Sequence, residues 1–474
     1  MELLQVNDDQ IVGADGQPVR LRGTCVGGWM NMENFINGYP GSEHTLRMVF
    51  AEELGPNKAA FFFNRLLDYF LTEDDIDFMR QCGATVVRLS VNYRHFERDD
   101  RPFEYLDEGF KRLDQAIGWC KKHGLYAIID LHAVQGWQNT DWHSDNASRH
   151  TLFWSTKHFQ DRFVALWEEF ARRYRGNNAV AGYNVMNEPA TAAYSGRFDD
   201  VNNSPKWDVI NAVYRRVVKA IRAIDPDHII FLEGDMYSAR FSGFEPPFAP
   251  NLVYSSHNYD AAGFGPGPYP GKIGGQYWDR AKQEALLIAH EGYLFARQHE
   301  VPLWVGEFGS VYNGSAEEIP DRLQALDDYL AIFNQHSAHW TTWTYKDVGV
   351  MGWVQLDPES AYMQLIQPLL RSKLELSTDF WMKWLPDNHA KQLVRTLASY
   401  AIETIADPAI DPLGVSKYMM QSVMSGFLGG LMQRPFAQLF KDMNETEIDH
   451  VLSAFAFKNC QRFDGLVEVV SRHM

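Results

Sequence analysis

Eight short apolar runs rich in β-branched residues alternate with longer stretches of helical period, and this alternation narrows the folds open to the chain more than any other feature. The runs are Leu21 to Gly28, Thr85 to Asn92, Leu125 to Ala133, Val180 to Asn187, Ile229 to Gly234, Val253 to Tyr259, Leu303 to Phe308 and His339 to Tyr345. Runs of that length, separated by enough chain for a crossover helix, predict parallel strands in an α/β fold. The intervening stretches carry their stripe at i+3 and i+4: Phe159, Phe163, Leu166, Trp167 and Phe170 in one, Ile210, Val213, Tyr214, Val217, Val218 and Ile221 in another. Thr72-Glu73-Asp74-Asp75 before Ile76 predicts a helix start with an acidic first turn. Eight such units predict an α/β fold closed as a (β/α)8 TIM barrel, with a doubly wound open sheet as the alternative.

Two segments stand outside the repeat. A long insertion after strand one, from Trp29 to about Leu71, leaves on the side where barrel loops build pockets. A C-terminal extension from Leu374 onward is mostly helical, broken at Pro386, Pro408, Pro412 and Pro435. The expected division is therefore a catalytic barrel over residues 1–373 and a helical extension over 374–474. No Gly/Ser linker precedes the extension, so it is expected to pack on the barrel. There it caps the pocket, covers the flank or pairs subunits into a homo-oligomer. Its Met419, Met420, Met424 and Met432 read first as a buried helix face. The run Ala262 to Pro268 is rich in Gly and Pro; its prolines remove amide donors, which argues for a loop after strand six and against a phosphate cradle.

Composition excludes several classes. With 61 acidic against 44 basic residues the formal charge is −17, which disfavours nucleic acid and anionic membranes as partners. No run of 18 apolar residues occurs. Four unclustered cysteines suggest neither a disulfide framework nor a zinc site, and the first residues lack a secretory pattern, so a cytoplasmic location is the expectation. Fourteen tryptophans suit a packed core and also platforms that stack on sugar rings.

The chemistry gathers at strand ends, whose side chains project into the site of a barrel. Strand two carries Arg88, strand three ends at Asp130-Leu131-His132, and strand four closes on Asn187-Glu188-Pro189. Strand six supplies His257-Asn258-Tyr259, strand seven Gly306-Glu307-Phe308-Gly309, and strand eight Trp343. Glu188 and Glu307 would face each other across the barrel mouth, the placement that glycoside hydrolysis needs: one carboxyl to protonate the leaving oxygen, one carboxylate below the anomeric carbon. Arg88 and the Tyr259 hydroxyl can hold Glu307 ionised, and Asn187 can meet a sugar hydroxyl and steady Glu188, which a raised pKa would keep protonated. His132 and His257 are expected around the sugar and Trp343 beneath it. The loop Gln135 to Asp145 brings Trp137, Trp142, Asp141, Asp145 and His143 near the mouth as one wall of a blind pocket. His132, His143 and His150 fit no metal-ligand spacing, so no metal is expected.

Arg88, His132, Asn187-Glu188-Pro189, His257-Asn258-Tyr259, Gly306-Glu307-Phe308-Gly309 and Trp343, in that order and on those strands, resemble glycoside hydrolase family 5 over roughly residues 15 to 350. The resemblance implies a retaining hydrolase with Glu188 as acid/base, Glu307 as nucleophile, the other residues as the shell of the sugar subsite, an oligosaccharide or glycoside as substrate, and no cofactor. The run from Gly27 to Phe35, the Gly38 to Gly41 turn and the long tail are similar to exo-acting bacterial members of the family, β-mannosidases among them. A β-mannosidase is therefore the expected activity, with a β-glucosidase or endo-β-glucanase as the alternative. A non-catalytic carbohydrate-binding barrel and a metal-assisted hydrolase or isomerase are the remoter readings.

Overall fold

The computed structural model describes residues 1–193, 204–379, 381, 388–408, 410 and 412–474. Eight parallel strands close a barrel: β1 (Arg22–Met30), β2 (Val86–Asn92), β3 (Tyr126–Ala133), β4 (Val180–Asn184), β5 (Ile229–Glu233), β6 (Leu252–His257), β7 (Leu303–Glu307) and β8 (His339–Thr342). β8 pairs with β1 through Trp340 opposite Arg22, which completes the ring and removes the open-sheet alternative. The predicted runs overlap all eight strands, with ends displaced by up to three residues. β4 stops at Asn184 and β8 at Thr342, so Asn187, Glu188 and Trp343 sit in the loops that follow.

The stripes form as expected. In α4 (Lys157–Tyr174) Phe163, Leu166, Trp167 and Phe170 are buried, and in α5 (Trp207–Ile224) all six stripe residues are. Before α3 (Glu73–Gln81) the Asp75 carboxylate accepts from the Thr72 N–H at 2.8 Å and from its hydroxyl at 2.7 Å. The expected helix between strands five and six is reduced to a short turn at Asp235–Ser238.

Inside the barrel, chemistry changes over one pleat. Val86, Ile128 and Phe231 belong to an apolar plug with Leu4, Ile11, Val253 and Trp304. Two residues further along the same strands, on the same face, stand Arg88, Asp130 and Glu233, all fully buried. The apolar layer closes one end of the barrel and leaves the other to a charged layer beneath the mouth.

The insertion and the extension pack on each other. The insertion forms α1 (Glu43–Leu54) and α2 (Pro56–Phe70). Phe436 and Phe440 of the extension approach Phe50 at 5.7 and 5.9 Å, Phe440 lies 4.8 Å from Phe62, and Phe455 lies 5.7 Å from Phe70. Burying a Phe side chain is worth about 1.5–3 kcal/mol, so the extension is held by its own core. It also adds a strand, Cys460–Arg462, antiparallel to Val354–Leu356, which the sequence reading did not foresee. A helix spanning Ala361–Glu375 runs through position 373, where the expected boundary falls. Met424 and Met432 are buried, Pro412 opens one helix, Pro435 lies in the first turn of another, and Pro386 falls outside the described residues. Among the described residues, no helix is long and apolar enough to cross a membrane.

Candidate active site

Arg88 organises the floor of the site. Its guanidinium donates to Glu307 Oε1 at 2.7 Å, Glu233 Oε1 at 2.9 Å, Asn187 Oδ1 at 2.8 Å and Asn184 Oδ1 at 3.0 Å, and lies 3.1 Å from Asp130. A planar fork of five N–H donors suits this work in a way an ammonium cannot. Burial disfavours the cation, but Asp130, Glu307 and Glu233 outweigh it and hold the Arg88 pKa well above its usual value.

Above that floor the two glutamates converge. One oxygen of Glu188, one of Glu307 and a ring nitrogen of His257 lie within 4.8 Å of one another. His257 Nδ1 is 2.7 Å from Glu188 Oε1 and 3.6 Å from Glu307 Oε2, and its Nε2 is 3.4 Å from Glu233. Such a triad has the composition of a cation site, and its nearest pair, His257 and Glu188, is joined by a direct 2.7 Å hydrogen bond. The Tyr259 hydroxyl donates to Glu307 Oε2 at 3.1 Å. Glu188 has a positive φ of 43°, costly for a residue with a Cβ. It is fixed on both sides, its N–H donating to Glu233 Oε2 at 2.7 Å and its carbonyl accepting from Asn139 Nδ2 at 2.9 Å.

The charge balance differs from expectation. Burial pushes the Glu188 carboxyl up, but hydrogen bonds with His143 Nε2, 3.1 Å away, and with His257 hold it well below the usual carboxylate range. Glu307 moves the other way: burial raises it, and the attraction of His257 and Arg88 only partly offsets that rise. The shift of Glu188 thus runs opposite to the raised pKa expected, because two imidazoles stand against it. Burial disfavours both imidazolium ions, yet neighbouring carboxylates raise His143 and lift His257 well above its ordinary value. The Asn139 amide also faces His143 Nε2, at 2.9 Å. Its orientation is set by its oxygen accepting from the Asp141 N–H and its nitrogen donating to the Glu188 carbonyl, both at 2.9 Å.

A cavity of about 190 Å³ opens over the pair, lined by Glu33, Phe35, His132, Trp142, His143, Glu188, Tyr259, Phe264, Glu307, Trp343, Met351 and Trp381. Of the expected residues, His132, Trp142, His143, Tyr259 and Trp343 lie on its wall with both glutamates. Trp343 lies parallel to His132, with ring centres 5.1 Å apart. Arg88, Asn187 and His257 lie beneath. Asn187 is fully buried and both ends of its amide are engaged, one by Arg88 and the other 3.2 Å from His132 Nε2. Trp137 is not on the wall, and His150 is exposed. Phe264, from the Gly/Pro run after strand six, does face the cavity, as do Phe35 and Glu33 from the insertion and Trp381 from the extension. Trp381 packs on Phe35 at 4.7 Å, Phe264 at 5.7 Å and Trp142 at 6.0 Å. These four aromatics come from four separate loops, and sequence offers no signal for their convergence. Glu233 could have been found, since it too is a carboxylate at a strand end.

Comparison with known proteins agrees with this geometry. Residues 57–349 match the family described as Cellulase (glycosyl hydrolase family 5). The chain is similar to a protein named beta-xylosidase from Phanerodontia chrysosporium, at 37% identity over 99% of this chain and 98% of the relative. It is also similar to endoglucanase C from Acetivibrio thermocellus, at 24% identity over 59% of this chain and 85% of the relative. Among solved structures, an endogalactoceramidase matches with a TM-score of 0.52 at 20% identity, over 73% of this chain and 75% of that one, which supports the fold. The barrel, the paired glutamates at its mouth and the match across more than half its length show that this chain belongs to glycosyl hydrolase family 5.

Proposed function

We propose that the protein is a retaining exo-acting β-glycosidase that releases a terminal β-linked sugar by double displacement, with a β-xyloside as its substrate. The observation that carries this reading is the approach of Glu188 and Glu307 oxygens to within 4.8 Å. Retaining glycosidases hold their carboxyl groups about 5–5.5 Å apart, and inverting ones leave a wider gap for water.

Glu307, gripped by Arg88 and Tyr259, attacks the anomeric carbon. Glu188, which lies 3.1 Å from His143 Nε2 and 2.7 Å from His257 Nδ1, delivers a proton to the departing oxygen. The Asn139 amide nitrogen stands 2.9 Å from His143 Nε2 and helps fix that ring beside Glu188. In the second step Glu188 takes a proton from the water that attacks the glycosyl-enzyme ester, and Glu307 leaves as carboxylate.

Walls drawn from the insertion and the extension support exo action, since they enclose the space that an endo-acting groove would leave open. The sugar assignment rests on the relative named beta-xylosidase, which aligns over nearly the whole of both chains, extension included. The expected β-mannoside, and the β-glucoside of the alternative reading, rank behind it.

A panel of aryl β-xyloside, β-mannoside, β-glucoside and β-galactoside at equal concentration tests the assignment, with the xyloside expected to have the highest kcat/KM. Glu307→Gln should abolish turnover with the fold intact; near wild-type hydrolysis by that variant would overturn the mechanism.

A further inference from the structure

A second cavity, of about 270 Å³, lies where the insertion, the loop after β3 and the C-terminal extension meet. Trp142 lines both it and the catalytic pocket. Trp381 packs on that indole at 6.0 Å, and the indole Nε1 is buried with no hydrogen-bond partner among the described residues. The loop also contributes Arg149, and the extension Ser425, Gly426, Gly430 and Gln433. In a chain of formal charge −17, this lining holds a guanidinium and no carboxylate among the described residues. Arg149 donates from Nη1 to the Thr140 carbonyl at 3.2 Å and from Nη2 to the Gln421 carbonyl. Among the described residues those bonds engage two of its five N–H donors. Its ion pair with Asp141 is long, 3.7 Å, and that carboxylate also accepts from the Gln421 amide. An added Cβ at Gly426 would stand 3.1 Å from Arg149 Nη2, whereas one at Gly430 would meet nothing within 4 Å. The first glycine makes room for the guanidinium, and the second leaves the space beside it open. The Gln433 amide nitrogen donates to the Pro40 and Ser42 carbonyls at 3.0 and 2.9 Å, so its oxygen is the acceptor left to a ligand. The Ser425 hydroxyl, on a residue 3% exposed, adds a donor to the guanidinium and the indole N–H.

We propose that this cavity is a second sugar site, selective for a hexuronate unit, with the carboxylate held by Arg149 and the pyranose ring against Trp142. A planar guanidinium fork matches a carboxylate, and an indole offers a flat apolar face with a polar tip to a sugar ring. The catalytic cavity is smaller, at about 190 Å³, so a ring that enters one fits the other. Phosphate or a simple carboxylate would satisfy the guanidinium and leave the indole bare, and a neutral hexose would do the reverse. The hexuronate is either the free sugar or a branch on a glycan whose end enters the catalytic pocket; both present the same carboxylate and ring. The site goes beyond the glycosidase reading, and its detection needs no turnover.

Calorimetric titration of the full chain with sodium glucuronate tests the site, with glucose, acetate and inorganic phosphate as comparisons. A hydrogen bond to a charged group corresponds to about 10- to 100-fold in affinity. Wild type should therefore prefer glucuronate to glucose by about that factor, and should bind acetate and phosphate more weakly than glucuronate as well. Arg149→Gln should lose that factor for glucuronate and no longer distinguish it from glucose. Gly430→Leu fills the open space from a position that does not line the catalytic pocket. It should abolish glucuronate binding while keeping the wild-type kcat/KM on the preferred aryl glycoside, and it serves if Arg149→Gln fails to fold. The inference is overturned if wild type binds glucose or phosphate as tightly as glucuronate, or if either variant keeps the wild-type affinity. It is also overturned if glucuronate inhibits glycoside hydrolysis competitively with a constant equal to its Kd, which would place the ligand in the catalytic pocket. Oligosaccharides of the preferred sugar, with and without a glucuronate branch, separate the two sources. A kcat/KM advantage for the branched chain that Arg149→Gln removes identifies the branch; equal kcat/KM alongside binding of glucuronate itself identifies the free sugar. A failed glycosidase assignment would leave the calorimetry unchanged, so the two readings fail separately.

Discussion

Replacing Arg88 by methionine should destabilise the fold by about 3–5 kcal/mol, the cost of leaving a buried charge without its partner. The figure sits at the upper end of single-substitution effects because three carboxylates lose a cation together: Glu307 at 2.7 Å, Glu233 at 2.9 Å and Asp130 at 3.1 Å, all side chains at most 5% exposed. Two amide oxygens, of Asn184 and Asn187, lose their donor as well. Arg88→Lys keeps the charge with three donors in place of five and should fall between wild type and methionine. Urea unfolding followed by tryptophan fluorescence reads the effect as a lowered midpoint at unchanged slope. The double variant Arg88→Met with Glu233→Gln removes one of the stranded charges and should regain part of the stability while staying inactive. A midpoint for Arg88→Met within about 1 kcal/mol of wild type would refute the reasoning, since it would mean that these carboxylates are satisfied without the guanidinium.

Three further outcomes are expected. His143→Phe removes a ring 3.1 Å from Glu188 Oε2, so turnover of substrates with poor leaving groups should fall about 10²-fold or more, while a dinitrophenyl glycoside, which leaves unaided, should change little; equal losses on both would count against a part for His143 in proton delivery. His132 is a stability switch: burial pulls its pKa down, but Asp130 at 2.7 Å pushes it up to about 10. The stability from this pairing is complete below the unfolded-state value of about 6.5 and is lost as pH rises through about 10, so the unfolding midpoint of His132→Asn should be less sensitive to pH across that window than wild type. Deleting residues from 374 onward strips Phe436, Phe440 and Phe455 from the aromatic cluster around Phe50, Phe62 and Phe70; insoluble or unfolded protein is expected, and a soluble, fully active barrel would show that the extension is dispensable.

The strand positions and the paired glutamates were legible because both follow local rules. A parallel strand buried on both faces must be apolar along its length, so eight such runs announce themselves, and a polar residue at the end of such a run stands out. Arg88, His132, Glu188, Tyr259, Glu307 and Trp343 were all found that way. Glu33 and Trp381 were not: Glu33 follows β1 by three residues inside a long insertion whose path the sequence does not give, and Trp381 has no strand beside it to give it a direction. Nor could the sequence supply the sign of the Glu188 shift. That sign depends on His143 arriving from another loop to within 3.1 Å, and hydrogen bonding reverses what burial alone would do.

Sequence by itself therefore determined the barrel, its chain order and the strand ends from which Glu188 and Glu307 approach each other, because hydrophobic period and strand-end placement are properties of neighbouring residues. Tertiary structure alone decided which way the proton affinity of each carboxyl shifts and which side chains wall the pocket. Those depend on distances of a few ångströms between residues hundreds of positions apart, such as Phe35 and Trp381 at 4.7 Å, and electrostatic and packing energies vary steeply over that scale.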